Sequence, residues 1–230
     1  NIAEALSQFK TRFNQIIEIQ TLLMNVDKMN FEETKILLFK LNVIIDKHVF
    51  CHFLESIDSA IYARPNNYLF YIDIILDYKE WIEKYLSQYE LYRIFGNHIV
   101  VYNLYRHSLF TLDFINSIKY NSESIENIFN LLVNNKIGSS DKSELESKCY
   151  DGNNPNPIAQ AIKNDDISTL QMLLSKENIS INSSIPYSVF EISYFLSNEP
   201  SLIEYAAFSG SVQCFKFLLL QTEIMIPETI

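Results

Sequence analysis

The sequence predicts an all-α fold: a helical N-terminal region followed by degenerate helix–turn–helix repeats stacked as an α-solenoid. Three observations carry this reading. Glycine is scarce, 4 in 230 residues, which disfavours a chain built on tight β-turns. Apolar residues recur at three- and four-residue steps through most of the first half of the chain. One passage also occurs twice, as Asn156–Leu174 and again as Ser201–Leu219. Laid over one another, the copies align Ala161 with Ala206, Asp165 with Gly210, and Leu173-Leu174 with Leu218-Leu219.

Each copy opens on a helix N-cap, Asn156 or Ser201, whose side-chain oxygen can accept from the free amides of the first turn. Pro157 follows at the one helical position where a missing N–H costs nothing. Ser201 and Glu204 spell a capping box. The first helix is short and ends near Asn164 or Ser209. Asp165 or Gly210 then makes the turn, and glycine takes a positive φ without penalty. The second helix carries Ile167, Leu170, Leu173 and Leu174 in one copy and Val212, Phe215, Leu218 and Leu219 in the other, a helical spacing. Ala161, Ala206 and Ala207 are small where two helices must approach closely. Repeated helix pairs bury their apolar faces against their neighbours and point to a binding scaffold.

The pattern resembles the ankyrin repeat, with its Thr-Pro-Leu-His opening, paired alanines, Gly turn and Leu-Leu helix end. Asn156-Pro157-Ile158 stands for Thr-Pro-Leu, and Ala206-Ala207 and Gly210 match outright. The motif's His is replaced by Ala159 and Glu204, and its Gly turn by Asp165 in the first copy. The copies start 45 residues apart, against roughly 33 in a regular array. The excess falls in an enlarged loop at 176–200. The passage Ser201–Lys216 is similar to a large group of trichomonad (protozoan) ankyrin-repeat proteins, which carry a helical N-terminal region and a domain of unknown function. The motif match covers about 156–221. The resemblance implies protein–protein binding and no chemistry. It would place contacts at the repeat-opening turns and the exposed ends of the first helices: Pro155, Lys163 and Asn164 in one copy, Pro200, Phe208 and Ser209 in the other.

Taken in order, residues 3–26 read as an amphipathic helix on Leu6, Phe9, Phe13, Ile16, Ile17, Leu23 and Met24. Asn30, with Glu33 three residues on, predicts a capped second helix. Ile36, Leu37, Phe39, Leu41, Ile44 and Ile45 make that helix apolar on most sides, so it is expected to be central. It is expected to continue, with a break, through Phe53 and Ile57 toward Tyr62, and Arg64-Pro65-Asn66-Asn67 ends it. Tyr68–Leu86, Asn97–Tyr120 and Ser122–Asn135 supply further helical passages, and Leu112–Val133 faintly echoes the later repeats. Tyr85, Tyr89, Tyr92 and Phe95 predict a packed helix seam. The polar stretch 138–155 reads as a linker between a helical region at 1–137 and repeats at 156–175 and 201–221. Within the enlarged loop, Ile179-Ser180-Ile181 and Val189–Ile192 suggest a small β-finger.

Composition narrows the function. The chain is 48% hydrophobic and 13% aromatic with a net charge of −10, enough to bury a core and unsuited to neutralising phosphates, so nucleic acid is not an expected partner. No apolar run reaches the roughly 18 residues of a membrane span. Cys51, Cys149 and Cys214 are isolated, which fits a reducing, cytoplasmic compartment. A start at Asn1 and an end at Ile230 just after a repeat suggest a fragment.

Chemical motifs are sparse. His48, His52 and Glu55 share a helix face and are the one candidate metal cluster, but there is no H-E-x-x-H. No phosphate loop or nucleophile elbow occurs. The expectation is therefore a non-catalytic scaffold or adaptor that binds another protein and needs no cofactor. Two alternatives stay open: the N-terminal helices form a ligand or enzyme domain, or they merely cap a longer repeat array. Phe208 reads either as a binding anchor or as core for a following repeat. Tyr187 and Phe190, with Tyr194 and Phe195, make the loop a second candidate surface.

Overall fold

A computed structural model describes residues 2–118, 123–130, 143–144, 146–149 and 152–224. Among them the chain is all-helical, with one isolated antiparallel bridge, Ser184 to Ser201, and no strand. It divides into two compact units, Asn1–Glu126 and Asn127–Ile230.

The first unit starts with α1 (Ile2–Asn25), α2 (Phe31–Lys40) and α3 (Lys47–Ala63). Helix α1 ends without a basic residue in its last turn, so other elements satisfy its terminal carbonyls. Arg64 donates to the carbonyls of Met24 and, at 3.0 Å, Val26. Asn67 donates to Val26 O at 3.0 Å and the Tyr71 hydroxyl to Leu23 O at 2.9 Å. At the C-cap of α2, Gln15 donates to Leu41 O at 2.6 Å, and Ile16 and Ile19 line one groove with Val49 and Phe53 of α3. Helices α1 and α3 therefore run the same way, and α2 returns between them. Asp46 caps α3 by accepting from Val49 N.

A single turn at Pro65–Asn67 leads into α4 (Tyr68–Asp77), α5 (Lys79–Tyr85), α6 (Gln88–Ile94), α7 (His98–Arg106) and α8 (Leu112–Ile118), followed by α9 (Glu123–Phe129). The Ser87–Glu90 capping box opens α6, and Asn97 caps α7. Phe50, Phe53, Leu54, Ile57, Tyr71 and Ile75 are fully buried and form the centre of this core.

Three expectations are corrected here. Helix α2 is not central: Thr34 and Leu38 are buried, but Ile36 and Phe39 are exposed, the latter at 71%. A ten-residue helix docked by one strip leaves its opposite face out, however apolar that face is. Asn30 makes no side-chain cap to α2; it accepts instead from the Asp27 backbone amide at 2.9 Å. The tyrosine series is not one seam, because Leu86 is extended and splits it between α5 and α6. Phe95 is buried there while Tyr89 is exposed.

The second unit holds α10 (Pro157–Lys163), α11 (Ile167–Lys176), α12 (Tyr194–Ser197), α13 (Leu202–Ser209) and α14 (Val212–Ile224). Asn156 caps α10 from the side chain, and Ser201 and Glu204 complete the capping box of α13. Helices α10 and α13 pack together, as do α11 and α14. Ile158, Ile162, Leu170, Tyr205, Cys214 and Leu218 lie in the shared core. Cys149 is buried at the end of helical residues 146–149. Residues 138–142, 145 and 150–151 of the polar stretch 138–155, and the middle and end of the faint echo at Leu112–Val133, lie outside the described residues.

Candidate partner-binding surface

The two copies fold through the same turn. Asp165 has φ 53° and Gly210 φ 71°, both left-handed. In one copy Asp165 N donates to Ile162 O at 2.9 Å and Asp166 N to Ala161 O at 2.9 Å; in the other Gly210 N donates to Ala207 O at 3.3 Å and Ser211 N to Ala206 O at 3.0 Å. Aspartate is among the few non-glycine residues that adopt this conformation readily. Here its side chain has a second task. The Asp165 carboxylate accepts from the backbone amides of Gln213 and Cys214, each at 2.9 Å, and so caps the first turn of α14. Those amides hold its pKa below the usual carboxylate range. Burial pushes the adjacent Cys214 thiol up to about 12, so it stays protonated and packs as a small hydrophobe.

The enlarged loop is no β-finger. Its base is closed by Ile185 N donating to Pro200 O at 2.8 Å and Leu202 N donating to Ser183 O at 3.2 Å. Ile185 and Leu196 then drop into the core of the helix pairs. Among the described residues neither Ile179–Ile181 nor Val189–Ile192 forms a strand; Ile192 N donates instead to Gly152 O at 3.1 Å.

Instead Val189–Ile192 delivers Glu191, which is 1% exposed. The Tyr205 hydroxyl donates to its Oε2 at 2.9 Å, Asn154 N to the same oxygen at 3.3 Å, and Ser193 N to Oε1 at 3.1 Å. One carboxylate thereby ties the loop to Asn154, three residues before α10, and to the middle of α13. Burial, followed by the nearby Glu191, raises the Tyr205 phenol far above its ordinary value.

The sequence-predicted contact residues divide. Pro155 and Asn164 are exposed. Pro200 and Phe190 are buried, which corrects their place on a contact surface: Pro200 closes the loop base, and Phe190 faces inward at the loop bend. Lys163 is half-buried and turned toward the side-chain oxygen of Asn153. Burial lowers its pKa, and the charge of Glu191 opposes that. Ser209 is partly buried.

Phe208 is 38% exposed and packs on Phe195 with ring centroids 5.5 Å apart. Phe195 in turn meets Tyr194 edge-on at 6.4 Å. Tyr194 and Phe195 are 66% and 65% exposed, and Tyr187 is also exposed. Two aromatics from α12 thus join the last turn of α13 in one outward-facing cluster. Sequence reading named the members but not their meeting.

In the first unit, His52 Nδ1 lies 2.9 Å from Glu55 Oε2. Among the described residues no group of three or more His, Cys, Asp or Glu side chains is placed to hold a metal ion, and no helix is long and apolar enough to cross a membrane. No family model, curated protein or solved structure matches the chain.

Proposed function

We propose that this chain is a non-catalytic protein-interaction scaffold, its second unit built from two degenerate ankyrin-like repeats. The duplicated turn carries the reading. Two helix pairs bend through left-handed residues at equivalent positions, with the same backbone hydrogen bonds, and like helices pack on like. These features support a reading as stacked repeats, whose stability comes from neighbour-to-neighbour contact and whose exposed ends are free for recognition.

The proposed contact surface is Tyr194, Phe195 and Phe208, with Pro155 and Asn164 on the corresponding parts of the first copy. Large aromatics left in water beside a rigid helix end are suited to anchor a partner, because they bury much area at little entropic cost. The partner is another protein. The enlarged loop is part of the surface because it supplies two of the three rings and is fastened to the repeats through Glu191.

Affinity capture from lysate tests the reading, using the parent chain beside Phe195→Ala and Phe208→Ala. Both changes remove exposed or half-exposed rings, so circular dichroism and thermal midpoints should stay close to the parent. A protein retained by the parent and reduced at least about ten-fold by each change is the expected result. A captured set indifferent to both changes, or no reproducible capture, overturns it.

A further inference from the structure

The first unit carries a recognition feature that the repeats do not explain. Among the described side chains of helix α1, the buried ones lie in its C-terminal half. Ile19, Leu23 and the following Val26 are sealed in the core. Toward its start, Ile2, Leu6, Phe9 and Phe13 are exposed, Ile2 at 80% and Phe9 at 68%. With Ile16 they recur at alternating steps of four and three, the spacing of a heptad seam. This strip is about 21 Å long at 1.5 Å per residue, and the Phe9 and Phe13 rings stack on it with centroids 6.2 Å apart.

The strip runs into a groove of about 300 Å³ between α1 and α3. Ile19 and Phe53 form its floor, Ile16 and Val49 its walls, and Phe13 its lip. Its charged and titratable lining consists of Arg12, His48 and His52. A strip this long, continuous with a groove between two parallel helices, is shaped for a third helix rather than a compact small molecule.

Charge identifies what kind of helix. At 100° per residue, Lys10 and Arg12 fall on opposite flanks of the strip, while Glu4 and Glu18 fall on the far side of α1. The chain carries a net charge of −10, yet this face is edged by cations. Two carboxylates lie nearby, and both are engaged: Asp46 caps α3 through Val49 N and feels Arg12 and His48, and Glu55 holds His52. A second copy of α1 laid on the strip would set Lys10 and Arg12 against their own kind, which disfavours self-pairing.

We propose that this face of α1 and the α1–α3 groove bind an amphipathic helix of a partner protein whose apolar stripe is flanked by acidic residues. The site stands on residues unrelated to the aromatic cluster of the second unit and does not depend on the repeat reading.

Fluorescence anisotropy on the full chain tests it with two labelled 18-residue helical peptides. Both carry Leu at the a and d positions; one has Glu at e and g, the other Lys. The Glu peptide is expected to bind at least about ten-fold more tightly at low salt, with the gap narrowing as salt rises. Lys10→Glu combined with Arg12→Glu, both exposed and outside the core, is expected to reverse the preference. Phe9→Ala with Phe13→Ala is expected to weaken the Glu peptide at least about ten-fold. Equal binding of the two peptides, a preference untouched by charge reversal, or no binding of the Glu peptide each overturns the proposal. So does sedimentation showing that the chain pairs with itself through α1, lost on Leu6→Glu.

Discussion

Asp58 on α3 and Glu191 in the enlarged loop are both carboxyl groups drawn out of water, and the chain treats them oppositely. Glu191 is sealed but receives three hydrogen bonds, from the Tyr205 hydroxyl and the amides of Asn154 and Ser193. Asp58 is partly buried, and its buried Oδ1 has no hydrogen-bond partner. Burial alone raises its pKa to about 7. Desolvation costs both groups; what differs is whether donors offset it. In the second unit the acid fastens a loop to α13 and to the segment leading into α10. In the first it is a local liability that the surrounding core carries.

The largest effect that could break this contrast is at Glu191. Glu191→Ala would strand the Tyr205 hydroxyl and two amides, at about 1–3 kcal/mol each. Denaturant titration is expected to show a loss of roughly 3 kcal/mol or more, and hydrogen exchange should rise at Asn154 and Ser193 first. A change below about 1 kcal/mol would mean the hub is not structural.

Tyr205→Phe sharpens the same point by removing one donor and keeping the ring. It is expected to cost about 1.5–3 kcal/mol, the range for a hydrogen bond to a charged group, and less than Glu191→Ala measured in the same titration. Equal losses would assign the effect to repacking.

At Asp58 the sign reverses. Unfolded, its carboxyl titrates near 3.9; folded, near 7. Between those values the unfolded chain loses the proton while the folded chain keeps it, so Asp58 erodes stability as pH rises through the window and no further above it. Asp58→Asn is neutral throughout. Its thermal midpoint should match the parent near pH 4 and exceed it increasingly up to about pH 7, then hold a constant lead. A constant difference across pH would show that Asp58 is not the titrating group.

Much of the fold was legible because the signals were local. Asn156, the Ser201–Glu204 box and Gly210 declare helix ends by chemistry acting over three or four residues, and each appears where expected. Asp165 was legible as a turn but not as a cap, since its acceptors serve Gln213 and Cys214 almost fifty positions on. The burial of α2 was misread because composition shows how apolar a helix is, not which side has a neighbour. Glu191 was hidden inside Val189–Ile192, which has strand character; an acid amid apolar residues was the one available hint. The aromatic cluster was half legible, as Tyr194, Phe195 and Phe208 stood out singly while their contact depends on how the loop closes.

Site-specific photo-crosslinking tests the scaffold reading most directly. A benzophenone amino acid replaces Phe208, and in a control chain it replaces Met172, which is exposed on α11. Irradiation in lysate is predicted to yield a discrete protein adduct from position 208, absent from position 172. Excess unlabelled parent should compete it away, and the Phe195→Ala chain should not. No adduct at 208, or the same adducts from both positions, would contradict recognition by the aromatic cluster.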